Sequence, residues 1–255
     1  MPSLAGKVAV VTGSSRGAGR GIALALGEQG ATVYVTGRSA RGGPAPPDGA
    51  RGTVEDTAEE VTARGGRGVP VKVDLTSEPE VAELFARVRR DGGRLDVLAN
   101  AVWGGNEQVD LAAFGRPFWE EPAALWGRTM DAGPRAYLLA SREAARLMAP
   151  RGSGLIACVT DGMMPDGTQP CGGNLYWDLA HAAVNRLALA MSHDLGPRGV
   201  AVVALMPGFM RTERVMMHMT TEEIRKATRF DLSETPEYLG RAVAALAADS
   251  KHLER

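Results

Sequence analysis

The sequence has little cysteine, and the two that it has are placed unlike the cysteines of metal or disulfide proteins. Cys158 and Cys171 form no C-x-x-C pair and stand beside no histidine cluster. Neither a disulfide framework nor a zinc site is therefore indicated, and we expect no metal site. A chain with so few cysteines also fits a reducing environment, so we expect a cytoplasmic protein.

Net charge and long apolar runs are scarce as well. The 29 lysines and arginines nearly balance the 30 aspartates and glutamates, so no basic surface for nucleic acid or anionic lipid is indicated. The longest apolar runs, such as 200–206, are too short to span a bilayer, and the first residues lack the apolar core of a signal peptide. We expect a soluble protein that binds neither nucleic acid nor membrane.

What the sequence does have is the composition of one globular domain. Its 255 residues are 44% hydrophobic and 23% charged, and the 32 glycines indicate many tight backbone positions. Because no internal repeat or linker divides the chain, we predict a single domain over residues 1–255.

Short apolar runs alternate with amphipathic stretches along the chain. This alternation is typical of an α/β fold of the Rossmann type, a doubly wound parallel sheet with helices on both faces. The predicted strands cover 8–11, 32–35, 69–73, 95–99, 155–159 and 200–206. The predicted helices cover 20–28, 54–64, 78–90, 123–148, 175–195 and 235–248.

Two stretches break the alternation. Residues 37–52 are rich in proline and glycine, which we interpret as a surface loop. Residues 102–122 carry Trp103, Phe118 and Trp119, and these aromatic side chains either line a pocket or pack on the domain.

A glycine-rich turn, TGSSRGAG at 12–19, follows the first predicted strand and opens a helix. Such glycines allow a tight turn and bring a pyrophosphate close to the positive end of a helix, although similar turns also occur with a structural role only. The members of this turn that we predict to bind a dinucleotide are Gly13, Ser15, Arg16, Gly17, Ala18 and Gly19.

Arg38 ends the second predicted strand, where folds of this type meet the adenosine ribose. An acidic residue there would accept a hydrogen bond from a ribose 2′-hydroxyl, whereas the planar donor fork of an arginine suits a 2′-phosphate. We therefore predict NADP(H) rather than NAD(H) as the cofactor, with Arg16 as a second positive contact.

Together these features resemble the short-chain dehydrogenase/reductase (SDR) superfamily over nearly the whole chain. The segments that carry the resemblance are 12–19, Asp74-Leu75, the LDVLANA run at 95–101, the AAVNRL run at 182–187, and Pro207-Gly208 with Thr212. Three further segments, at 103–105, 118–120 and 173–175, resemble a bacterial branch related to the animal dehydrogenase/reductase family member one.

The resemblance implies a role for each matching residue. Asp74 and Leu75 would contact the adenine, and Asn100 and Ala101 would lie on the ribose side. The residues that would contact the nicotinamide are Pro207, Gly208 and Thr212. For each position the alternative is a capping or strand-end role.

The catalytic positions depart from the family pattern. Relatives use a tyrosine that donates a proton, a lysine four residues later, a serine that orients substrate, and an asparagine that supports a proton relay. Alignment through the AAVNRL run places His181 at the lysine and Trp177 at the tyrosine, with Asp161 at the serine and Gly133 near the asparagine. We predict a catalytic tetrad in which all four positions differ.

The indole of Trp177 does not ionise in this range, so the usual mechanism is not expected. Our candidate catalytic residues are Asp161, Tyr176 and His181. Tyr176 is adjacent to Trp177, yet one residue of helix rotates a side chain by about 100°. His181 can act as an acid or base near neutral pH or donate to a ribose hydroxyl, and Asp161 can orient or deprotonate substrate. The alternatives are a stacked histidine and an aspartate that caps a turn.

Six methionines fall in the two segments that usually shape the substrate cleft of this family, which favours an apolar or aromatic substrate unless they fill the core. They are Met163, Met164, Met210, Met216, Met217 and Met219.

The leading hypothesis is an NADP(H)-dependent oxidoreductase that acts on a carbonyl or alcohol with a non-standard proton donor. The donor would be the substrate, the solvent, His181 or Tyr176. One alternative is a non-redox enzyme of the same fold, such as an isomerase, cyclase or lyase, with Asp161 and His181 as acid and base. The other is an NADP(H)-binding pseudoenzyme.

Relatives usually pair through their fourth and fifth helices, so we expect a homodimer. Small side chains favour close helix approach there, or pack within the monomer. These are Ala136, Ala140, Ala144, Ala145, Ala182, Ala183, Ala188 and Ala190. The sequence printed ends at 251–255 without a β-rich run, which puts the second, tetramer-forming interface in doubt.

Overall fold

The structure is a computed structural model that describes residues 3–44, 46, 49–104, 116–161 and 174–249. Its sheet has six parallel strands in the order β3-β2-β1-β4-β5-β6. The strands are β1 Val8–Thr12, β2 Thr32–Gly37, β3 Arg67–Lys72, β4 Val97–Asn100, β5 Gly154–Val159 and β6 Val200–Leu205. The predicted fold class and all six predicted strands are confirmed.

Nine α-helices connect and flank the strands in the described ranges. They are α1 Gly17–Glu28, α2 Val54–Ala63, α3 Glu78–Gly92, α4 Leu125–Met130, α5 Ala136–Met148, α6 Leu175–Leu195, α7 Glu213–His218, α8 Glu222–Ala227 and α9 Pro236–Ala248. Local sequence sets several of their ends. Thr53 caps α2 by accepting a hydrogen bond from the Asp56 amide, and α3 stops at Gly93 in the left-handed conformation. No helix of the described residues is long and apolar enough to cross a membrane.

The hydrophobic core has two halves, one on each face of the sheet. Helices α3, α5 and α6 cover one half, while α1, α2 and α9 cover the other.

Strand order reverses between β1 and β4, where the chain leaves the sheet in opposite directions. The Thr12 hydroxyl accepts hydrogen bonds from the amides of Ala101 and Val102 and ties the two strand ends together. Ligands of open α/β sheets bind in the crevice at such a reversal.

Two helices differ from their predicted extent. The predicted helix 123–148 is divided into α4 and α5 by a π-helical turn, Asp131–Arg135, that contains Pro134 and a non-helical Gly133. Proline removes one helical hydrogen bond and forces this widening. Helices α7 and α8 were not predicted, because six residues each are too few to show a helical period.

Helices α1 and α9 touch backbone to backbone. A methyl group added at Gly21 would overlap Pro236, and one added at Gly240 would overlap the carbonyl of Gly21. The two glycines therefore let the helices approach more closely than any side chain would permit.

The alanines expected to form a dimer interface are mostly used inside the chain. Ala136, Ala140, Ala144 and Ala188 are buried against the sheet, because the strands supply the apolar surface that these faces cover. The large apolar residues that α5 and α6 leave exposed are Leu138, Leu175, Leu179 and Leu189.

Candidate active site

The glycine-rich turn packs closely against the end of β4. Gly13 has a φ of +64°, and a Cβ there would lie 2.5 Å from the Cα of Val102. A Cβ on Gly19 would overlap the carbonyl of Gly13, so α1 begins directly over the turn. The turn thus places the start of α1, where backbone N–H groups favour an anion, directly beside the end of β4.

Helix α7 lies on this turn. The Glu213 carboxylate accepts a hydrogen bond from the Gly17 amide at 2.7 Å. The Thr212 side chain caps α7 and approaches the same glycine, while the Met217 methyl is 3.8 Å from a Cβ built on Gly49. Thr212 therefore lies against the glycine-rich turn, and its contact with the nicotinamide stays a prediction. Gly208, with a φ of +71°, lies in the preceding turn after Pro207.

The two predicted arginines have different surroundings. Arg38 is exposed just beyond β2, and its Nη2 atom is 3.8 Å from a Cβ built on Gly104. Arg16 donates a hydrogen bond to the carbonyl of Ala50 at 3.0 Å and so attaches the loop before α2 to the turn. Arg41 is paired with two carboxylates of α2. Arg38 is thus the cation that lies at the end of β2.

Asp74 lies beyond the end of β3 and uses one carboxylate oxygen locally. That Oδ1 atom accepts hydrogen bonds from the Thr76 amide and hydroxyl at 2.9 and 2.7 Å. Leu75 is buried in the core. The local turn described by the capping alternative is present, and the contact of this pair with adenine stays a prediction.

Asn100 is fully buried and its side chain points into the protein. Its Nδ2 donates to the Ser141 hydroxyl at 2.9 Å, and its Oδ1 accepts from Thr12 at 3.5 Å. The predicted contact on the ribose side therefore cannot come from this side chain, which instead joins β4 to α5 and β1. Only the backbone of Asn100 and Ala101 is left for that role.

Four of the residues singled out from sequence form one cluster at the ends of β4 and β5. The Trp103 ring stacks on His181 with centroids 4.5 Å apart, and its edge meets Trp177 at 4.9 Å. The indole N–H of Trp177 donates to Asp161 Oδ2 at 3.2 Å. The structure therefore brings Asp161, Trp177 and His181 together, and Trp103 completes the cluster. In the sequence, the sign of its role is a large aromatic residue directly before two glycines, Gly104 and Gly105.

His181 is held as a neutral ring. The Asp161 amide donates to its Nδ1 at 2.9 Å, which leaves the proton of the neutral form on Nε2. Burial lowers the pKa of His181 to about 4, although the carboxylates of Asp161 and Asp178 act to raise it. His181 is thus uncharged at neutral pH. A neutral ring with its proton on Nε2 favours hydrogen-bond donation over acid or base chemistry near neutral pH, and the catalytic role of His181 stays a prediction.

Two buried N–H groups of this cluster point to a ligand. His181 Nε2 and Trp103 Nε1 are buried and have no hydrogen-bond partner in the part of the chain that the structure describes. Leaving a buried donor unpaired costs about 1–3 kcal/mol. Hydroxyl oxygens of a bound molecule would relieve that cost, and together with the glycine-rich turn at the start of α1 these donors fit a dinucleotide.

Gly133 lies against the other face of the cluster. A Cβ on Gly133 would be 2.9 Å from Cζ3 of Trp103. The predicted counterpart of the relay asparagine therefore has no space for a side chain while the Trp103 indole is in place.

Tyr176 remains one residue out of register. Helix α6 runs without interruption from Leu175, and the Asn174 side chain accepts from the amides of both Tyr176 and Trp177. The helix distortion that would bring Tyr176 to the position of Trp177 is therefore not present in this helix.

The remaining apolar residues of the predicted cleft are divided between core and surface. Met219 is buried, Met210 is half-buried, and Met216 and Met217 are exposed on α7. Phe118 and Trp119 contact each other edge to face and are exposed, so of the three predicted aromatics only Trp103 packs in the site. Met163 and Met164 lie outside the described residues.

No group of three or more histidine, cysteine, aspartate or glutamate side chains is arranged to hold a metal ion within the described ranges. Cys158 is buried, and burial raises the pKa of its thiol to about 12, so it does not provide a thiolate near neutral pH.

The strand order and the glycine-rich turn at the reversal point define a dinucleotide-binding fold of the Rossmann type. A family model described as short chain dehydrogenase matches residues 7–223. The chain belongs to the short-chain dehydrogenase/reductase family of oxidoreductases, whose members bind a nicotinamide cofactor.

The relatives agree with this assignment. Dehydrogenase/reductase SDR family member 1 of Mus musculus is 41% identical over 252 residues, which cover 96% of this chain and 75% of the relative. Among solved structures, a metagenomic short-chain oxidoreductase in complex with NADP superposes with a TM-score of 0.73 at 24% identity, over 96% of this chain and 92% of that one. A 7α-hydroxysteroid dehydrogenase complexed with NADH and 7-oxo glycochenodeoxycholic acid gives 0.78 at 24%, over 99% and 91%.

Proposed function

We propose that this protein is an NADP(H)-dependent oxidoreductase acting on an apolar or aromatic carbonyl or alcohol, and that its proton donor is not a side chain at the usual tyrosine position. The observation that carries the proposal is the cluster of Asp161, Trp177 and neutral His181 beside the dinucleotide crevice.

The cofactor would lie across the reversal point of the sheet. The turn that includes Gly13, Ser15, Ala18 and Gly19 would hold the pyrophosphate, and Arg38 would pair with the 2′-phosphate of NADP(H). Since one of the structural neighbours holds NADP and another NADH, the preference rests on Arg38 and not on the neighbours.

His181 is the residue of the cluster best suited to hold the ribose. Its Nε2–H is buried and has no partner among the described residues. The single proton of the neutral ring stays on Nε2 because Nδ1 accepts a hydrogen bond from the Asp161 amide. This geometry favours donation to a ribose hydroxyl. When bound, the nicotinamide would supply or take up a hydride, while Trp103 and Trp177 exclude water from one side of the site.

The proton must then come from elsewhere than Trp177 and His181. The Trp177 N–H does not ionise and is already donated to Asp161, and His181 is neutral at pH 7. The possible proton donors are the solvent, the substrate, His181 and Tyr176. Of these four, water and the substrate are best supported. Asp161, held by Trp177 at one oxygen, would orient the substrate with the other.

The non-redox alternative is less well supported by the same contacts. It needs His181 as an acid or base, yet the Nδ1 lone pair is engaged by the Asp161 amide at 2.9 Å. The pseudoenzyme alternative predicts dinucleotide binding without turnover and is tested below.

We also propose a cytoplasmic homodimer that forms through α5 and α6. The support is the four exposed leucines of these helices, Leu138, Leu175, Leu179 and Leu189, because large apolar side chains left in water favour an interface.

The test is a titration of the full chain with NADPH and NADH, followed by turnover of aromatic ketones and alcohols. We expect tight NADPH binding and a change in nicotinamide absorbance with substrate. His181→Phe, which keeps a ring but removes the Nε2 donor, should weaken dinucleotide binding about tenfold, whereas the exposed His193→Phe on the same helix should not. Binding without any absorbance change would favour the pseudoenzyme, and no binding would refute the proposal.

A further inference from the structure

The cluster at the end of β5 has the Trp177 indole at the position of the family's proton donor, and the Asp161 carboxylate lies beside it. Reduction of a ketone requires a hydride at carbon and a proton at oxygen. Trp177 gives its only N–H to Asp161 at 3.2 Å, and His181 uses Nδ1 as an acceptor from the backbone. The site therefore offers negative charge and aromatic surface to a substrate, and no acidic hydrogen from these two residues.

The sequence around the cluster reinforces the negative charge. The described residues 154–161 and 174–185, which include β5 and the first half of α6, contain Asp161 and Asp178 and no lysine or arginine. Within the described ranges no lysine or arginine forms an ion pair with Asp161. Arg211 lies over the ring of Phe230, 5.9 Å from its centroid. Asp161 is half-buried, and burial of a carboxylate without a cationic partner is unfavourable. A positively charged ligand bound beside it would stabilise its charge.

The aromatic side chains of the cluster favour the same kind of ligand. Trp103 and Trp177 meet at 4.9 Å beside Asp161. Indole faces attract organic cations, and the attraction increases where water is excluded. Charge and ring surface together select a cation with an apolar or aromatic body rather than an inorganic ion.

We propose that the hydride acceptor of this site is an iminium ion, an apolar or aromatic cation whose charge faces Asp161. This inference rests on the NADP(H)-dependent hydride transfer of the proposed function, and it replaces the carbonyl or alcohol named there by a cationic acceptor. The iminium carbon accepts a hydride, with its electron pair, from the reduced dinucleotide and forms a C–H bond. The carbon–nitrogen π pair becomes the nitrogen lone pair, so the product is a neutral tertiary amine and the dinucleotide is oxidised. No proton is consumed, which explains how the site works without a donor at Trp177.

The test compares two substrates of similar shape in the full-length protein with NADPH. N-methyl-dihydroisoquinolinium is a permanent iminium ion, and α-tetralone is an uncharged ketone with a comparable fused ring. We expect kcat/KM for the iminium to exceed that for the ketone at least tenfold, with the tertiary amine identified by mass spectrometry. Equal or faster reduction of the ketone overturns the proposal.

The charge at Asp161 is tested by Asp161→Asn, which keeps an oxygen to accept from Trp177 and removes only the charge. We expect a loss of at least tenfold in kcat/KM for the iminium, with unchanged NADPH affinity. The control is Asp194→Asn, which removes one charge at the exposed far end of α6 and should have no effect. An iminium rate that is unchanged in Asp161→Asn overturns the proposal.

A binding measurement removes the dependence on turnover and on the folding of a variant. The probe is N,N-dimethyl-tetrahydroisoquinolinium, a saturated quaternary ammonium ion that cannot accept a hydride, titrated calorimetrically into the wild type with NADP. It should bind at least tenfold more tightly than tetralin, its uncharged counterpart, and equal affinity overturns the proposal. If NADPH itself does not bind, the proposed function fails and this inference fails with it. If NADPH binds but the iminium is not reduced, this inference alone fails.

Discussion

The Glu213 carboxylate and the Gly17 amide form a 2.7 Å hydrogen bond between the start of α7 and the start of α1. The carboxylate thus occupies one N–H of the turn at which an anion would bind, and its second oxygen faces Arg20 at 3.9 Å. Helix α7 is thereby attached to the cofactor side of the crevice.

This contact predicts that Glu213 opposes dinucleotide binding. Glu213→Gln removes a like charge from the neighbourhood of the pyrophosphate and should tighten NADPH binding by about tenfold at low salt. The difference should shrink as salt is added, because the Debye length falls to about 8 Å at physiological ionic strength. Glu222→Gln, the same change in the first turn of α8, is the control for calorimetric titration. Weaker NADPH binding in Glu213→Gln would contradict this account.

Arg38 should determine the choice of dinucleotide. We expect the wild type to bind NADPH more tightly than NADH, and Arg38→Ala to reduce that preference by about ten- to a hundredfold, since a charge-assisted contact with the 2′-phosphate is lost. Arg41→Ala is the matched control, because Arg41 already pairs with Asp56 and Glu59. Equal affinity of the wild type for both dinucleotides in fluorescence titration would remove the argument.

Restoring the family's proton donor should change the reaction. Trp177→Tyr combined with His181→Lys places a phenol and an ammonium four residues apart on one helix face. Ketone reduction by this double variant should rise about a hundredfold, within the range that general acid catalysis supplies. Trp177→Phe with His181→Lys lacks only the phenol hydroxyl and should stay at the wild-type rate. The prediction is wrong if the wild type already reduces ketones as fast as the double variant.

The stability of the protein should depend on His181 in acid. Its folded-state pKa of about 4 lies below the ordinary value of 6.5, so the unfolded chain binds the proton more readily between these two values. The stabilising contribution is present above pH 6.5 and is lost as the pH falls toward 4, by about 3 kcal/mol. His181→Gln should flatten this part of the profile in urea unfolding. An unchanged slope would show that His181 is not the group responsible.

The exposed leucines of α5 and α6 predict the assembly. Light scattering of the purified chain should report a dimer, and Leu189→Lys should yield monomers, because a charge placed in an apolar interface is costly. Leu232→Lys, at an exposed leucine outside α5 and α6, should remain dimeric. A wild-type monomer at all concentrations would refute the interface, and a wild-type tetramer would show that a second interface is present.

Elements whose residues show a strong hydrophobic periodicity could be predicted from sequence. Elements whose shape depends on contacts made only in the folded chain could not. The six strands and the glycine-rich turn follow from apolar runs and from the spacing of Gly13, Gly17 and Gly19. The break at Asp131–Arg135 depends on how Pro134 is accommodated, and α7 is too short for its pattern to be visible.

The same division holds inside the site. Asp161, Trp177 and His181 were placed together by alignment, yet the neutral state of His181 follows from burial and from the Asp161 amide, which only coordinates reveal. Asn100 was assigned to ligand contact and instead serves the core, because its direction depends on Ser141, 41 residues away in sequence.

The glycine contact between α1 and α9 also has a consequence for how the chain acquires this fold. Gly21 and Gly240 come from nearly opposite ends of the sequence, and their helices together cover one face of the sheet. Loop closure over such a separation is slow. During translation, the part of the sheet face and of α1 that α9 covers stays exposed until α9 has been synthesised. We expect docking of α9 to be a late step of folding, and refolding to pass through an intermediate in which that apolar face is still unprotected.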